Sequence, residues 1–108
     1  MNACVLIIIT APSEQDAAAI GSTLVGERLA ACATIIPCIR SIYWWNDRVH
    51  DATETMLLIK TRAELFEAVR QRVKALHTYE VPEITGIEID RGDPAYLHWI
   101  EDSTREGD

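Results

Sequence analysis

The segment Ile42-Tyr43-Trp44-Trp45 sets the hardest constraint on the fold. Along a strand, neighbouring side chains point to opposite faces, so Ile42 and Trp44 face one way and Tyr43 and Trp45 the other. Helices cover one face of a sheet, and a strand near the edge receives less cover still. Two adjacent tryptophans therefore cannot both enter the core of a single small domain. Burying each large aromatic contributes roughly 2–3 kcal/mol from area alone, so leaving them bare is wasteful. Large exposed aromatic patches mark interaction surfaces. Ile42, Tyr43, Trp44 and Trp45 are accordingly expected to form a subunit interface. The plainer alternative packs one Trp on the core and tolerates the other outside.

The rest of the chain supplies the elements around that segment. Its 108 residues allow one domain, taken here as residues 1–108. The run Val5-Leu-Ile-Ile-Ile9 is continuous and β-branched, the pattern of a strand buried on both faces. Ser13 with Asp16 resembles a capping box, and a helix is expected from there to about Ala31. Ile20/Leu24 and Val25/Leu29 give it i,i+4 contacts, while Gly21 and Gly26 each cost on the order of 1 kcal/mol relative to Ala. Cys32 to Trp45 is β-prone and interrupted at Pro37, which suggests a bend or bulge in an edge strand. Asn46-Asp47-Arg48 is a turn signal, and Thr53 to Thr61 returns as the second strand of a long hairpin.

Thr61 and Glu64 suggest a second capping box, followed by a helix with Leu65, Val69, Val73 and Leu76 on one stripe. Tyr79 to Pro82 reads as a loop. Ile87 and Ile89 alternate with Glu88 and Asp90, a half-buried strand. Asp93-Pro94 is a helix N-cap with a first-turn proline, and the closing helix places Tyr96, Trp99 and Ile100 on one face. The tail from Ser103 is expected to fray. The order is β-α-β-β-α-β plus a terminal helix, the split βαβ pattern of the ferredoxin-like α/β (α+β) sandwich. Right-handed crossovers put both main helices on one sheet face, with the first and third strands central.

Charge and cysteine usage narrow the function. With 17 acidic against 10 basic residues and a net charge of −7, the surface repels a phosphate backbone, and no basic cluster offsets this. An RNA-binding sheet would carry aromatics on its central strands, and the first strand has none. Nucleic acid is excluded as a partner. Cys4, Cys32 and Cys38 are odd in number and lack C-x-x-C spacing, which points to a reducing compartment and a cytoplasmic location. The apolar run Cys4 to Ile9 is too short for a membrane span or a signal-peptide core. Cys4 and Cys32 are expected as small core hydrophobes and Cys38 as an accessible thiol. His50 and His98 are expected at the surface. No G-x-S-x-G elbow, Walker loop or H-E-x-x-H helix occurs, so the chain is read as a binding protein rather than an enzyme.

Several ordered segments resemble one family. They are Thr10-Ala-Pro12, Glu27-Arg-Leu-Ala-Ala31-Cys32, Ile35-Ile-Pro37, Ser41-Ile-Tyr-Trp-Trp45, Ile59-Lys-Thr61, His77-Thr-Tyr-Glu-Val-Pro-Glu83, and Tyr96-Leu97 with Trp99. Together they are similar to the CutA divalent-cation tolerance proteins over nearly the entire chain. The resemblance implies a homotrimer assembled through the long hairpins, like the PII signalling proteins in architecture, that responds to divalent metal ions, copper among them. Copper-linked relatives carry ligands where this chain has Ile9 and Leu76, and the family's usual proline is Thr78. His77 is thus the one candidate metal ligand left, next to a helix C-terminus whose dipole also favours an imidazolium. On the same resemblance, Lys60, His77, Tyr79 and Glu83 are expected to line an intersubunit pocket with Trp44 as a wall. Two further functions stay open: an enzyme using His77, Tyr79 and Glu83 on a small substrate, or a structural trimer that scaffolds another protein.

Overall fold

In the computed structural model, which describes residues 4–107, the hydrophobic pattern sorts into four strands and three helices. In chain order these are β1 (Cys4–Ala11), α1 (Glu14–Gly26), β2 (Cys32–Trp45), β3 (Arg48–Arg62), α2 (Phe66–Leu76), β4 (Ile84–Glu88) and α3 (Pro94–Ser103). The strands form one antiparallel sheet in the order β2-β3-β1-β4, so the first and third strands are central, as expected.

The central pair explains the core. Ile7 faces Ile59 and Ile9 faces Leu57 across the β1–β3 ladder. Val5, Ile7, Ile9 and Ala11 point to the face that α1 and α2 cover with Ala17, Ile20, Leu24, Val69 and Val73, and all of these are buried. The alternate residues Leu6, Ile8, Met56 and Leu58 are only half-buried, because this second face has cover at one end alone. There α3 lies over the strand ends, with Arg62 donating to the Glu101 carbonyl at 2.7 Å. The first strand is thus not sealed on both faces within one chain.

Local signals governed some boundaries and not others. Ser13 and Asp93 cap α1 and α3 by accepting from the backbone N–H groups of Asp16 and Tyr96. Helix α1 ends at Gly26, five residues before the expected Ala31. Leu29 N–H donates to Leu24 C=O at 2.9 Å and Arg28 N–H to Val25 C=O at 3.1 Å. These bonds form a Schellman motif, with Arg28 at φ 63° in the left-handed position. The second capping box does not form. A single 3₁₀ turn, Ala63–Leu65, leads into α2, and Thr61 Oγ1 instead donates to Leu29 C=O at 2.6 Å.

The hairpin is longer than its apolar half suggested, since β3 begins at Arg48 rather than Thr53. Trp45 pairs with Arg48, leaving a two-residue loop in which Asn46 and Asp47 both take positive φ. The register shifts between Ile36 and Ile39, so Pro37 and Cys38 oppose one residue of β3, and Cys38 sits at φ 59°. This is the bulge expected at the proline. The last strand is set earlier than the Ile87/Ile89 alternation implied, because Ile84 pairs with Ile9 and packs against the core while Ile87 is exposed. On α3 only Ile100 is buried; Tyr96 and Trp99 lean on each other outside, their ring centroids 5.5 Å apart. The segment after Ser103 is tied down rather than frayed. Thr104 is buried, Arg105 N–H donates to Arg28 C=O at 2.9 Å, and Gly107 N–H donates to Glu64 at 2.7 Å. Cys4 is buried and Cys38 exposed as expected, whereas Cys32 is half-buried. Among the described residues no helix is long and apolar enough to cross a membrane.

Candidate functional site

Where α2 stops, the chain turns across the end of β1 and toward the base of the hairpin. His77 is the C-cap of α2 with extended ψ, its N–H donating to Val73 C=O. Its ring then fixes the next loop. Nε2 lies 2.7 Å from Thr10 C=O, and the backbone N–H of Tyr79 lies 3.0 Å from Nδ1. A carbonyl only accepts, so Nε2 donates, and Nδ1 accepts from the amide. Both ring nitrogens are engaged by backbone groups.

Tyr79 is positioned by that staple. Its ring is tilted against the imidazole at a centroid distance of 4.8 Å, and its hydroxyl donates to Glu54 Oε2 at 2.6 Å. Glu54 stands on β3 and is only 6 % exposed. Burial pushes the Tyr79 phenol well above its ordinary value, and the Glu54 carboxylate, by hydrogen bond and by charge, pushes it further. On the hairpin, Tyr43 stacks on His50 at 5.5 Å with the rings 11° apart. His50 Nε2 in turn donates to Trp45 C=O at 3.1 Å.

These groups enclose a cleft of about 840 Å³. Its walls are Thr10 from β1, Ser41 and Tyr43 to Trp45 from β2, His50 and Glu54 from β3, and Thr78 to Val81 with Glu83 from the loop. Trp44, Tyr79 and Glu83 are therefore brought together as the sequence suggested. Glu83 accepts from Thr85 Oγ1 at 3.2 Å. His77 sits behind this wall as a backbone staple and does not line the cleft. Lys60 is elsewhere. It lies six residues from Glu54 along β3, roughly 20 Å at the rise of a strand. There its Nζ donates to Thr34 Oγ1 at 2.8 Å and approaches Cys32 Sγ at 3.8 Å.

Sequence reasoning missed Glu54, Tyr43, Trp45 and His50 as parts of one site. A signal for Glu54 was present. It alternates in step with Met56 and Leu58, which puts a carboxylate on an otherwise apolar sheet face. Among the described residues, no three His, Cys, Asp or Glu side chains converge into a group that could hold a metal ion. Around His77, Ile9 and Leu76 are aliphatic, and both imidazole nitrogens already have partners, so the residues of one chain do not fit a copper centre in this conformation.

Comparison with known proteins is consistent over nearly the whole chain. A family model described as CutA1 divalent ion tolerance protein matches residues 5–103. A divalent-cation tolerance protein CutA from Thermus thermophilus is 46% identical over 99 residues, 92% of this chain and 96% of that protein. The chloroplastic protein CutA 1 of Oryza sativa is 39% identical over 102 residues, 94% of this chain. The match spans 58% of the rice protein's length, so that relative is the longer of the two. Among solved structures, the T. thermophilus protein superposes with a TM-score of 0.91 at 44% identity, covering 94% of this chain and 99% of that one. CutA1 from O. sativa gives 0.94 at 38% identity, covering 97% and 96%. The chain belongs to the CutA1 divalent ion tolerance protein family.

Proposed function

We propose that this chain acts in the cytoplasm as a homotrimeric binding protein responsive to divalent cations, with the cleft beside Tyr79 as its small-ligand site. The observation that carries the reading is the uncovered apolar surface. Ile42, Trp44 and Val49 are 64 %, 73 % and 58 % exposed, and the second sheet face carries Leu6, Ile8, Met56 and Leu58 with cover at one end only. Exposed apolar residues on both faces of the sheet are suited to association. The strand order and the placement of α1 and α2 on one face support a ferredoxin-like subunit and a PII-like trimer. A catalytic role for His77 has less support, because its nitrogens hold the backbone and have no free lone pair or proton for a substrate. A resident copper ion on His77 is likewise not part of this reading. The cation is treated as a solute sensed by the assembly.

Native mass spectrometry of the intact chain, with and without Cu²⁺ and Zn²⁺, tests assembly and uptake together. A trimer mass is expected at micromolar concentration. A dilute sample that stays monomeric would refute the interface, and a trimer unchanged in mass and stability by either ion would remove the divalent-cation part.

A further inference from the structure

We propose that the cleft beside Tyr79 takes an organic ammonium ion, an aliphatic amine carrying N–H donors, rather than a bare metal ion or an anion. This rests on the reading of that cleft as a ligand site and names the class of ligand. Charge is the first ground. Glu54, Glu80 and Glu83 line the cleft and no Lys or Arg does, in a chain of net charge −7. An anion would meet three carboxylates there and no Lys or Arg to offset them.

Glu54 is the second ground. It is 6 % exposed, and Tyr79 occupies its Oε2. Among the described residues its Oε1 has no hydrogen-bond partner, and no buried side-chain oxygen there lacks one. That oxygen is therefore open to the cleft its own side chain lines. A nearly buried carboxylate with one free oxygen at the bottom of a cleft is an acceptor for a charged N–H donor.

The aromatic walls separate an ammonium from a metal. Tyr43 and Trp45 share the cleft with Glu54, and Trp44 stands at its rim. Ring faces attract an alkylammonium and pack against its methylenes. They offer nothing to a hydrated dication, which seeks several oxygen ligands in one shell. The carboxylates are not grouped to supply that shell. A volume of about 840 Å³ suits a small organic molecule.

The test is calorimetric titration of the assembled chain with butylamine, 1,4-diaminobutane and spermidine, with 1,4-butanediol, succinate and Zn²⁺ as controls. At least one amine is expected to bind, weakening as salt rises, while the diol and succinate show no heat. Glu54→Gln keeps an acceptor for the Tyr79 hydroxyl and is expected to weaken amine binding tenfold or more. Trp45→Leu, in the cleft wall, is expected to weaken it several-fold in samples whose trimer mass is unchanged. Amine binding matched by the diol, or unchanged in Glu54→Gln, overturns the proposal. A trimer that binds Zn²⁺ or succinate in the cleft but no amine overturns the ammonium class and leaves the ligand site standing. A trimer that binds none of the six probes removes both.

Discussion

Replacing Tyr79 by Phe isolates the hydrogen bond on which the cleft floor depends. Phe retains the ring that leans on His77 at 4.8 Å and deletes only the hydroxyl 2.6 Å from Glu54 Oε2. A hydrogen bond to a charged group contributes about 1.5–3 kcal/mol. Glu54 is nearly buried, which argues for the upper end. Its second oxygen, however, remains open to the cleft, so water still reaches the carboxylate and the group is not fully stranded. We expect Tyr79→Phe to destabilise the fold by about 1.5–2 kcal/mol. Glu54→Gln keeps the acceptor and is expected to cost less than about 1 kcal/mol, a neutral hydrogen bond being the weaker kind. The double variant should show a coupling energy of about 1 kcal/mol or more, since the two side chains touch. Guanidinium unfolding at one fixed subunit concentration measures all four proteins, with light scattering to verify equal assembly, because oligomer stability depends on concentration. A Tyr79→Phe change below about 0.3 kcal/mol, or additivity in the cycle, would refute the reasoning.

The same tyrosine predicts an alkaline limb in stability. Its folded-state value lies above the unfolded one, so the unfolded chain releases its proton first, near pH 10. The contribution is complete below that pH and is lost as pH rises through the folded value. Tyr79→Phe should flatten unfolding midpoints measured between about pH 9 and 11.5, and an unchanged slope would contradict this. Gly21→Ala and Gly26→Ala should diverge although both lie in α1. A Cβ at Gly21 meets Ala33 Cβ at 3.0 Å and Leu57 Cδ2 at 3.3 Å, while one at Gly26 meets nothing within 4 Å. Thermal unfolding is expected to show Gly26→Ala stabilised by about 0.5 kcal/mol, and Gly21→Ala destabilised by about 1 kcal/mol as overpacking outweighs helix propensity. Thr61→Val removes a donor 2.6 Å from Leu29 C=O in a fully buried site. It should cost about 1–2 kcal/mol by denaturant titration.

The parts of the fold that were legible are those where one local rule acts alone. Ser13 and Asp93 cap their helices as a short polar side chain before a helix does. The β-branched run of β1 reads as a central strand because little else suits it. Where two rules give the same pattern, the sequence misleads. The Val25/Leu29 spacing looks like another helical turn. In fact Leu29 is the apolar residue that a Schellman motif brings back onto Leu24, with Arg28 standing where glycine usually marks the stop. Ile87 and Ile89 alternate with charges as a strand should. The β4 register is set instead by Ile84 over Ile9, a contact between residues 75 positions apart that no local pattern announces.

The candidate site was less legible because one irregularity decides its composition. Before the bulge, Ile36 lies opposite Met56 and shares its sheet face; after it, Ile39 lies opposite Glu54. The extra residue reverses which positions of β2 accompany that face, since a slip of one residue exchanges the two sides of a strand. Without it, Ile42 and Trp44 would share the sheet face of Glu54. With it, Tyr43 and Trp45 stand on that face with the His50 ring and wall the cleft above Glu54, while the Ile42 and Trp44 positions alternate to the other side and the Trp44 ring still reaches the cleft edge. Pro37 disposes the chain to a bulge by withholding an N–H from the ladder, and Cys38 completes it in the left-handed region. The aromatic segment thus divides its work. Tyr43 and Trp45 wall the cleft, while Ile42 and most of Trp44 remain as the apolar surface offered for association. A substitution that straightens the bulge would exchange these two sets, and for that reason assembly and ligand binding should fail together there although neither surface is itself altered.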